Sequence, residues 1–89
     1  MNDYKDFPPL AIFKKVLQNH PNVALLYAAI WRAKSDTLDL KCRRRDINRR
    51  FLVSPTVFKN QLTSLARMEL LTFQETKEFF LIDFATQNG

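Results

Sequence analysis

Eighty-nine residues, 46% of them hydrophobic, suffice for one domain with its own core and exclude several classes of protein. The single cysteine excludes an internal disulfide, the single glycine excludes a glycine-rich phosphate loop, and the longest apolar run, Val23 to Trp31, is too short to cross a membrane. Because the N-terminus lacks an apolar leader stretch, we expect a cytoplasmic protein.

The excess charge is confined to one stretch of the chain, Lys41 to Arg50, which is called the basic segment below. It holds six basic side chains and one acidic side chain, a local charge of +5 that equals the formal net charge of the whole chain. The other 79 residues balance at eight basic and eight acidic side chains. Such a patch is typical of proteins that bind a polyanion, and the plainer alternative is a solvated helix face.

The N-terminal third of the chain predicts an extended arm followed by two helices. Pro8 and Pro9 disfavour helix, so residues 1–9 are expected to be extended. A short first helix is then predicted by apolar residues at helical spacing, which are Leu10, Phe13 and Leu17. Pro21 suits the first position of a second helix. The buried stripe of that helix is expected to contain Val23, Leu26, Tyr27, Ile30 and Trp31.

A very short strand and a basic helix are predicted next. Residues 37–40 alternate polar and apolar, which suits a strand with Leu38 and Leu40 facing the core. Ile47 and Phe51 lie four residues apart and indicate one buried stripe on a short helix. The arginines at positions 43–45 would lie in its first turn, where the helix dipole disfavours cations unless a phosphate is bound. If the helix begins later, at residue 45 or 46, these arginines form a loop.

The clearest helix start in the chain is Ser54–Pro55. The serine can cap the free backbone N–H groups of a new helix, and the proline occupies a position whose N–H has no partner. The buried stripe of this helix is expected to contain Phe58, Leu62, Leu65 and Ala66, as far as Met68. Its outward side over the first two turns is expected to contain Thr56, Val57, Lys59, Asn60 and Thr63.

The C-terminal part of the chain predicts a β-hairpin. Residues 70–73 and 79–84 are rich in aromatic and branched side chains, with the polar stretch Gln74 to Glu78 between them. The connection has no glycine and no Asn-Gly pair, so its turn type stays open. Residues 85–89 form a tail. The whole chain is thus expected to be one α+β domain that is mostly helical.

This order of elements resembles the winged helix-turn-helix domain over Asn22 to Phe84, and the likeness is closest over residues 46–71. There the chain shows a valine–serine turn at Val53–Ser54, a polar helix with leucines three residues apart, and a leucine pair that opens the hairpin. The resemblance implies that the helix after Ser54 enters the major groove of DNA and that the hairpin is the wing.

Two positions and the wing tip depart from the pattern of this family. Asn48 stands where a small residue is usual, and Glu69 stands where glycine usually precedes the leucine pair. A glutamate in a left-handed conformation carries a modest energetic cost, so the helix is expected to end differently there. The wing tip, residues 75–78, is net acidic, which argues against close contact between the wing and phosphate.

The charge pattern and the resemblance together assign the candidate site residues. The expected phosphate contacts are Lys41, Arg43, Arg44, Arg45, Arg49, Arg50, Ser54 and Thr56. The expected base contacts are Val57, which suits a thymine methyl, Lys59, which suits guanine, Asn60, which suits adenine, and Thr63. The wing residues are Gln74, Thr76 and Lys77. The sequence therefore predicts specific binding of double-stranded DNA by a small transcriptional regulator.

Two other functions fit the same residues. A winged helix can bind an acidic protein partner through its arginines, and the acidic wing and the scarcity of cations on the helix after Ser54 favour this reading. RNA binding or an accessory role in replication is also compatible with the charge. No catalytic constellation is apparent, so no enzymatic activity, metal or cofactor is expected. His20 has no ligand cluster near it in sequence, and Cys42 reads as a structural thiol.

The last predicted strand has apolar residues on both faces, which predicts a homodimer. Phe80, Ile82 and Phe84 point to one face and are the expected interface, while Phe79 and Leu81 point to the other. Two copies would also match a palindromic DNA site. The alternative is that the N-terminal helix covers the second face within one chain.

Overall fold

The computed structural model describes residues 7–34 and 38–85. Over these ranges the chain forms a small α+β domain that is mostly helical, as expected. In chain order its elements are α1 (Leu10–Asn19), α2 (Pro21–Ala33), β1 (Asp39–Arg43), a 3₁₀ turn (Arg44–Asp46), α3 (Ile47–Phe51), α4 (Pro55–Arg67), β2 (Leu71–Glu75) and β3 (Phe79–Phe84). Most of the predicted N-terminal arm and C-terminal tail, and Thr37 of the predicted strand, lie outside the described residues. None of the described helices is long and apolar enough to cross a membrane.

The first two helices are separated by a single residue, His20, whose N–H donates to the Val16 carbonyl at 2.7 Å. Pro21 occupies the first turn of α2, and the predicted buried stripe of that helix is confirmed. The stripe predicted for α1 is wrong in part, because Leu10 and Leu17 are 59% and 48% exposed. The core face of α1 is instead formed by Val16, which is buried, with Ile12 and Phe13 half-buried against it.

The three strands form an antiparallel sheet in the order β1-β3-β2. Leu40 pairs with Ile82 and Cys42 pairs with Phe80, so these residues share the face that the helices cover. Phe80, Ile82 and Phe84 are 0%, 1% and 5% exposed within one chain. The prediction that these three residues form a dimer interface is therefore wrong, because the core of the same chain already buries them.

The basic segment begins as a strand rather than as a helix. β1 continues through Cys42 and Arg43, whose partners on β3 are Phe80 and Phe79. The N–H of Arg44 then donates to the Glu78 carbonyl at 2.8 Å, and α3 begins only at Ile47, which is fully buried. Arg43 belongs to β1 and not to the first turn of a helix, because its pairing with β3 outweighs the local preference. Arg44 and Arg45 lie in the 3₁₀ turn that precedes α3. None of the three lies in the first turn of α3, so the helix-dipole argument does not hold in the form given above.

Helix α4 begins and ends with well-defined caps. The Ser54 hydroxyl accepts from the Val57 N–H at 3.2 Å, as predicted. Its predicted core stripe is confirmed, with Phe58, Leu62 and Leu65 fully buried and Ala66 half-buried. At the other end Glu69 has φ of 62°, and the N–H groups of Glu69 and Leu70 donate to Ala66 and Leu65 carbonyls at 2.9 and 3.2 Å. This is a Schellman cap in which glutamate takes the place usual for glycine.

The predicted hairpin is confirmed, with a shorter connection than expected. Gln74 and Glu75 belong to β2, where they pair with Leu81 and Phe80, so the turn contains only residues 76–78. Thr76 closes the turn. Its N–H donates to the Phe79 carbonyl at 2.8 Å, and its hydroxyl accepts from the Phe79 N–H at 2.9 Å.

Aromatic rings tie the helices to the sheet. Phe58 of α4 stacks on Phe51 of α3 with ring centroids 5.2 Å apart and meets Phe80 of β3 edge-on at 5.1 Å. Trp31 of α2 meets Phe84 edge-on at 5.3 Å. The Tyr27 hydroxyl is buried without a hydrogen-bond partner among the described residues, and this burial raises the pKa of Tyr27 to about 12. Ring contacts thus join α2 and α4 directly to β3, and α3 to α4.

Candidate nucleic-acid interface

The candidate interface is centred on the turn that joins α3 to α4. Residues 52–54 separate the two helices, and Leu52 makes the turn with φ of 61° while its side chain stays 84% exposed. Its N–H donates to the Asn48 carbonyl at 2.9 Å and ends α3. Phe51 and Phe58 stack across the turn, so α3 and the first turns of α4 pack together on their core sides.

The basic segment does not present its six cations on one element. Lys41 and Arg43 are exposed on the sheet face opposite the core, because they alternate along β1 with buried Leu40 and Cys42. Arg45 is exposed on the 3₁₀ turn. Arg49 and Arg50 are exposed on α3, and the remaining cation, Arg44, is half-buried.

Some of these cations already have acidic partners within the chain. Arg44 forms an ion pair with Glu75, and Arg49 lies 3.2 Å from Asp46 on the preceding turn. The Arg49 side chain is 77% exposed, so its pair contributes little to stability. Arg43, Arg45 and Arg50 form no ion pair with any acidic residue of the described chain. Lys41 also forms no ion pair there, so these three arginines and Lys41 are the cations most available to a phosphate.

Two of the cations of the basic segment without an acidic partner lie over aromatic rings. The Lys41 ammonium is 4.2 Å from the centroid of Phe79, its neighbour across the sheet face, and the Arg50 guanidinium is 5.3 Å from that of Phe51. Both side chains stay exposed, so the contact with the ring restricts their direction without removing the charge from solvent.

The outer face of α4 is polar and largely uncharged. The side chains of Thr56 and Asn60 are exposed, and Val57 is 41% exposed. The Asn60 amide makes no hydrogen bond with the residues that the structure describes, so both its donor and its acceptor are open. Two expected base contacts are less free. Thr63 is half-buried and its hydroxyl donates to the Lys59 carbonyl at 2.9 Å, while the Lys59 ammonium lies 3.0 Å from Glu75.

Of the predicted wing residues, only Lys77 offers a charge to a partner. Gln74 lies on the outer face of the sheet, opposite Leu81, and is exposed. Thr76 is also exposed, although its hydroxyl is used to close the turn. Arg43 pairs with Phe79, the first residue after the turn, so this arginine lies beside the wing. Lys77 and Arg43 can therefore act together at this end of the sheet.

Glu75 is the site residue that the sequence interpretation missed. Its carboxylate binds both Arg44 and Lys59, which are distant from it and from each other along the chain. The orientation of the Glu75 side chain could have been predicted from the sequence. Leu71, Phe73 and Glu75 are every second residue of β2, so their side chains share the sheet face that the helices cover. Its partners could not be read from that periodicity, since they depend on how the helices pack.

The described residues offer no metal site and no activated thiol. No group of three or more histidine, cysteine or acidic side chains among them could hold a metal ion. Cys42 is fully buried, and this desolvation raises the pKa of its thiol despite the opposing effect of the Arg50 charge. A raised pKa disfavours the thiolate, so this cysteine is a core residue.

No family model matches the chain, and neither the comparison with curated proteins nor that with solved structures gives a match. Function is therefore inferred from what the described residues can do. They bring an uncharged, hydrogen-bonding helix face next to exposed arginines, which is a combination suited to a polyanion that also carries specific polar groups.

Proposed function

We propose that the protein is a winged helix-turn-helix domain that binds double-stranded DNA as a small transcriptional regulator, with α4 in the major groove. The observation that carries this proposal is the exposed face of α4, where the open amide of Asn60 lies between Thr56 and the partly exposed Val57. The adjoining α3 and 3₁₀ turn add exposed arginines. The element order α2-β1-α3-α4-β2-β3 and the sheet order β1-β3-β2 are compatible with it.

Phosphate contacts come from both sides of α4 in this proposal. Arg45, Arg49 and Arg50 contact the backbone beside the groove, and Ser54 and Thr56 fix the register where α4 begins. At the other side Arg43 and Lys77 contact the backbone next to the wing. Lys41 lies further along β1 on the same sheet face as Arg43 and supports it.

Base contacts come from the outer face of α4. An asparagine amide can form two hydrogen bonds with adenine in the major groove, and a valine methyl can contact the methyl group of thymine. Lys59 can reach guanine only after its ammonium leaves Glu75. Thr63 can contact a base only after its hydroxyl leaves the Lys59 carbonyl. Asn60 and Val57 are therefore the main readers.

The test is selection of bound fragments from random duplex DNA, followed by a salt titration on the selected site. The five cations placed on phosphates above predict a slope of about −4.5 per subunit in log affinity against log salt, from about −0.9 for each phosphate neutralised. An enriched motif with this slope supports the proposal. A flat salt response would contradict it, and tighter binding to an RNA duplex of the same sequence would favour the RNA alternative.

A second candidate function is binding of an acidic protein segment, and the exposed Leu52 favours it. This side chain is 84% exposed between the arginines of α3 and the start of α4, where it could anchor an amphipathic acidic helix. Leu52→Ser separates the two candidates. It should leave duplex affinity within about twofold, because no phosphate contact is lost, and should abolish binding of a partner that uses leucine as its anchor.

We further propose that two copies act together on a two-fold symmetric site. A dimer cannot use the buried face of β3, but three of the six large apolar side chains that are exposed on the described surface lie on or beside α1, namely Phe7, Leu10 and Leu17. Light scattering during size exclusion should give about twice the 10.5 kDa of one chain, and Leu10→Lys with Leu17→Lys should restore the single mass. A mass of 10.5 kDa for the unaltered protein at tens of micromolar would contradict the dimer.

A further inference from the structure

We infer that Glu75 is an internal competitor for phosphate: its carboxylate holds Arg44 and Lys59 in the free protein and thereby limits affinity for DNA of any sequence. This inference rests on the proposed DNA-binding function. In this inference Glu75, an acidic residue of the wing, controls how tightly the protein binds DNA of any sequence. The charge of the basic segment alone does not provide this contribution to specificity.

The geometry places one carboxylate between two cations from different elements. Glu75 is the last residue of β2, where it follows Leu71 and Phe73 on the side facing the helices. Its Oε1 lies 3.0 Å from the Lys59 ammonium on α4, and its Oε2 pairs with the guanidinium of Arg44 on the 3₁₀ turn. Each carboxylate oxygen thus has its own cation.

The side chain of the acid is better covered than the side chain of either partner, although its backbone at the end of β2 is open to solvent. The Glu75 side chain is 23% exposed, whereas those of Arg44 and Lys59 are 37% and 53% exposed. The two cations therefore keep a side toward solvent from which a phosphate can approach. Such partly exposed ion pairs are weak, so the dense charge of a nucleic acid can replace the carboxylate.

Arg44 is also tied to the hairpin by two further contacts. Its N–H donates to the Glu78 carbonyl at 2.8 Å, and its guanidinium lies 5.1 Å from the centroid of the Phe80 ring. The backbone bond holds the Arg44 main chain, and the contact with the Phe80 ring keeps the guanidinium beside the hairpin with or without the Glu75 carboxylate. Removal of that carboxylate should free the charge of Arg44 without moving the side chain far from the interface.

The effect on DNA binding follows from ion release. When a phosphate replaces Glu75, the freed carboxylate takes up a cation from solution, which offsets part of the counterion release that drives binding. Each additional phosphate contact with full ion release steepens the salt slope by about 0.9 and raises affinity roughly eightfold at 0.1 M salt. Freeing both cations should thus raise affinity roughly tenfold to sixtyfold.

The experiment compares Glu75→Gln with Glu78→Gln in the full chain. Both substitutions remove one negative charge from the same hairpin, but the Glu78 carboxylate forms no ion pair with a described residue, and its backbone contact with Arg44 survives the change. Fluorescence anisotropy on a random-sequence duplex of about 20 base pairs, at about 50 to 200 mM KCl, gives both affinity and salt slope.

Glu75→Gln should bind at least tenfold tighter than the unaltered protein at the lower salt, with a slope steeper by about one to two. Glu78→Gln should change affinity by less than about threefold, as expected for one exposed charge. In a Lys59→Met, Arg44→Met background, Glu75→Gln should have no larger effect than Glu78→Gln.

Equal effects of the two glutamine variants on otherwise unaltered protein, or weaker binding by Glu75→Gln, would overturn the inference while leaving the proposed function intact. Circular dichroism of each variant controls for folding, and Glu75→Ala with Glu78→Ala repeats the comparison if a glutamine variant is unstable. If no protein in the series binds duplex DNA, the proposed function fails and the role of Glu75 falls with it.

Discussion

The basic segment and the outer face of α4 meet at one turn but differ in chemistry. The basic segment exposes Arg43, Arg45 and Arg50 without acidic partners in the described chain, so it offers charge with little positional detail. The face of α4 offers an open amide at Asn60, and its nearest cation, Lys59, is paired with Glu75. The difference indicates that holding a nucleic acid and reading it are separate tasks here, and that substitutions should separate them.

The largest expected effect comes from removal of the three unpaired arginines. Arg43→Gln, Arg45→Gln and Arg50→Gln together should weaken binding to any duplex roughly 500-fold at 0.1 M salt, because three phosphate contacts of about 0.9 each are lost. The salt slope should become shallower by about 2.7.

The matched control neutralises three exposed cations on α1 and α2, namely Lys14, Lys15 and Arg32. The net charge falls equally, so a loss of less than about tenfold is expected if the position of the charge matters. Equal losses in the two triple variants would show that only net charge is sensed, and the distinction between the two surfaces would fail. Anisotropy on one labelled duplex measures both.

A smaller effect is expected at Asn60, and unlike the effect of the arginines it should depend on the DNA sequence. Asn60→Ala should cost about 1 to 3 kcal/mol on the selected DNA site and little on random duplex, since a base contact is lost and no charge changes. Arg45→Gln is the comparison, because loss of a phosphate contact should weaken binding to both duplexes alike. Identical behaviour of the two variants on both duplexes would contradict the assignment of Asn60 as a base contact and Arg45 as a phosphate contact.

The same two regions show which features a sequence can predict. The start of α4 and its core stripe were predicted correctly because Ser54, Pro55 and the spacing of Phe58 and Leu62 act within a few residues. The basic segment was predicted less well. Its first residues pair with β3, which lies about forty positions later, and that pairing extends β1 from the predicted residues 37–40 to Arg43.

The candidate site divides in the same way. The exposure of Asn60 and Val57 was predictable, because it follows from the helical period of α4 alone. The ion pairs of Glu75 with Arg44 and Lys59 required the packing of three elements, and no spacing pattern encodes them. On α1, apolar residues cover more than one face, so periodicity could not show that Val16 rather than Leu10 or Leu17 faces the core.

The local character of the α4 start can be tested through stability. Ser54→Ala should lower the free energy of unfolding by about 1 kcal/mol, because the Val57 N–H loses its acceptor. Ser64→Ala is the control within the same helix, since the Ser64 hydroxyl only donates back to the Asn60 carbonyl at 3.4 Å. Its effect should stay within about 0.5 kcal/mol. If the urea unfolding midpoints of Ser54→Ala and Ser64→Ala shift equally, the Ser54 cap contributes no more to stability than an ordinary serine of the same helix.

The smallest expected effect lies at the other end of α4, where Glu69 occupies the left-handed position of the Schellman cap with φ of 62°. A residue with a Cβ atom is strained there by about 1 to 2 kcal/mol relative to glycine. Substitution by glycine removes this strain, but the greater freedom of glycine in the unfolded chain cancels part of the gain in stability. Glu69→Gly should therefore raise the free energy of unfolding by about 0.5 to 1 kcal/mol.

Glu69→Ala removes the same charge but keeps the Cβ atom, so it separates backbone strain from electrostatics and should give no comparable gain. Because Glu69 follows the last turn of α4, far from Ser54, both variants should bind duplex DNA within about twofold of each other. Equal stabilisation by glycine and alanine in urea unfolding would show that charge, not backbone conformation, limits this end of the helix. A gain for glycine alone would show that α4 is strained at the end that does not adjoin the basic segment.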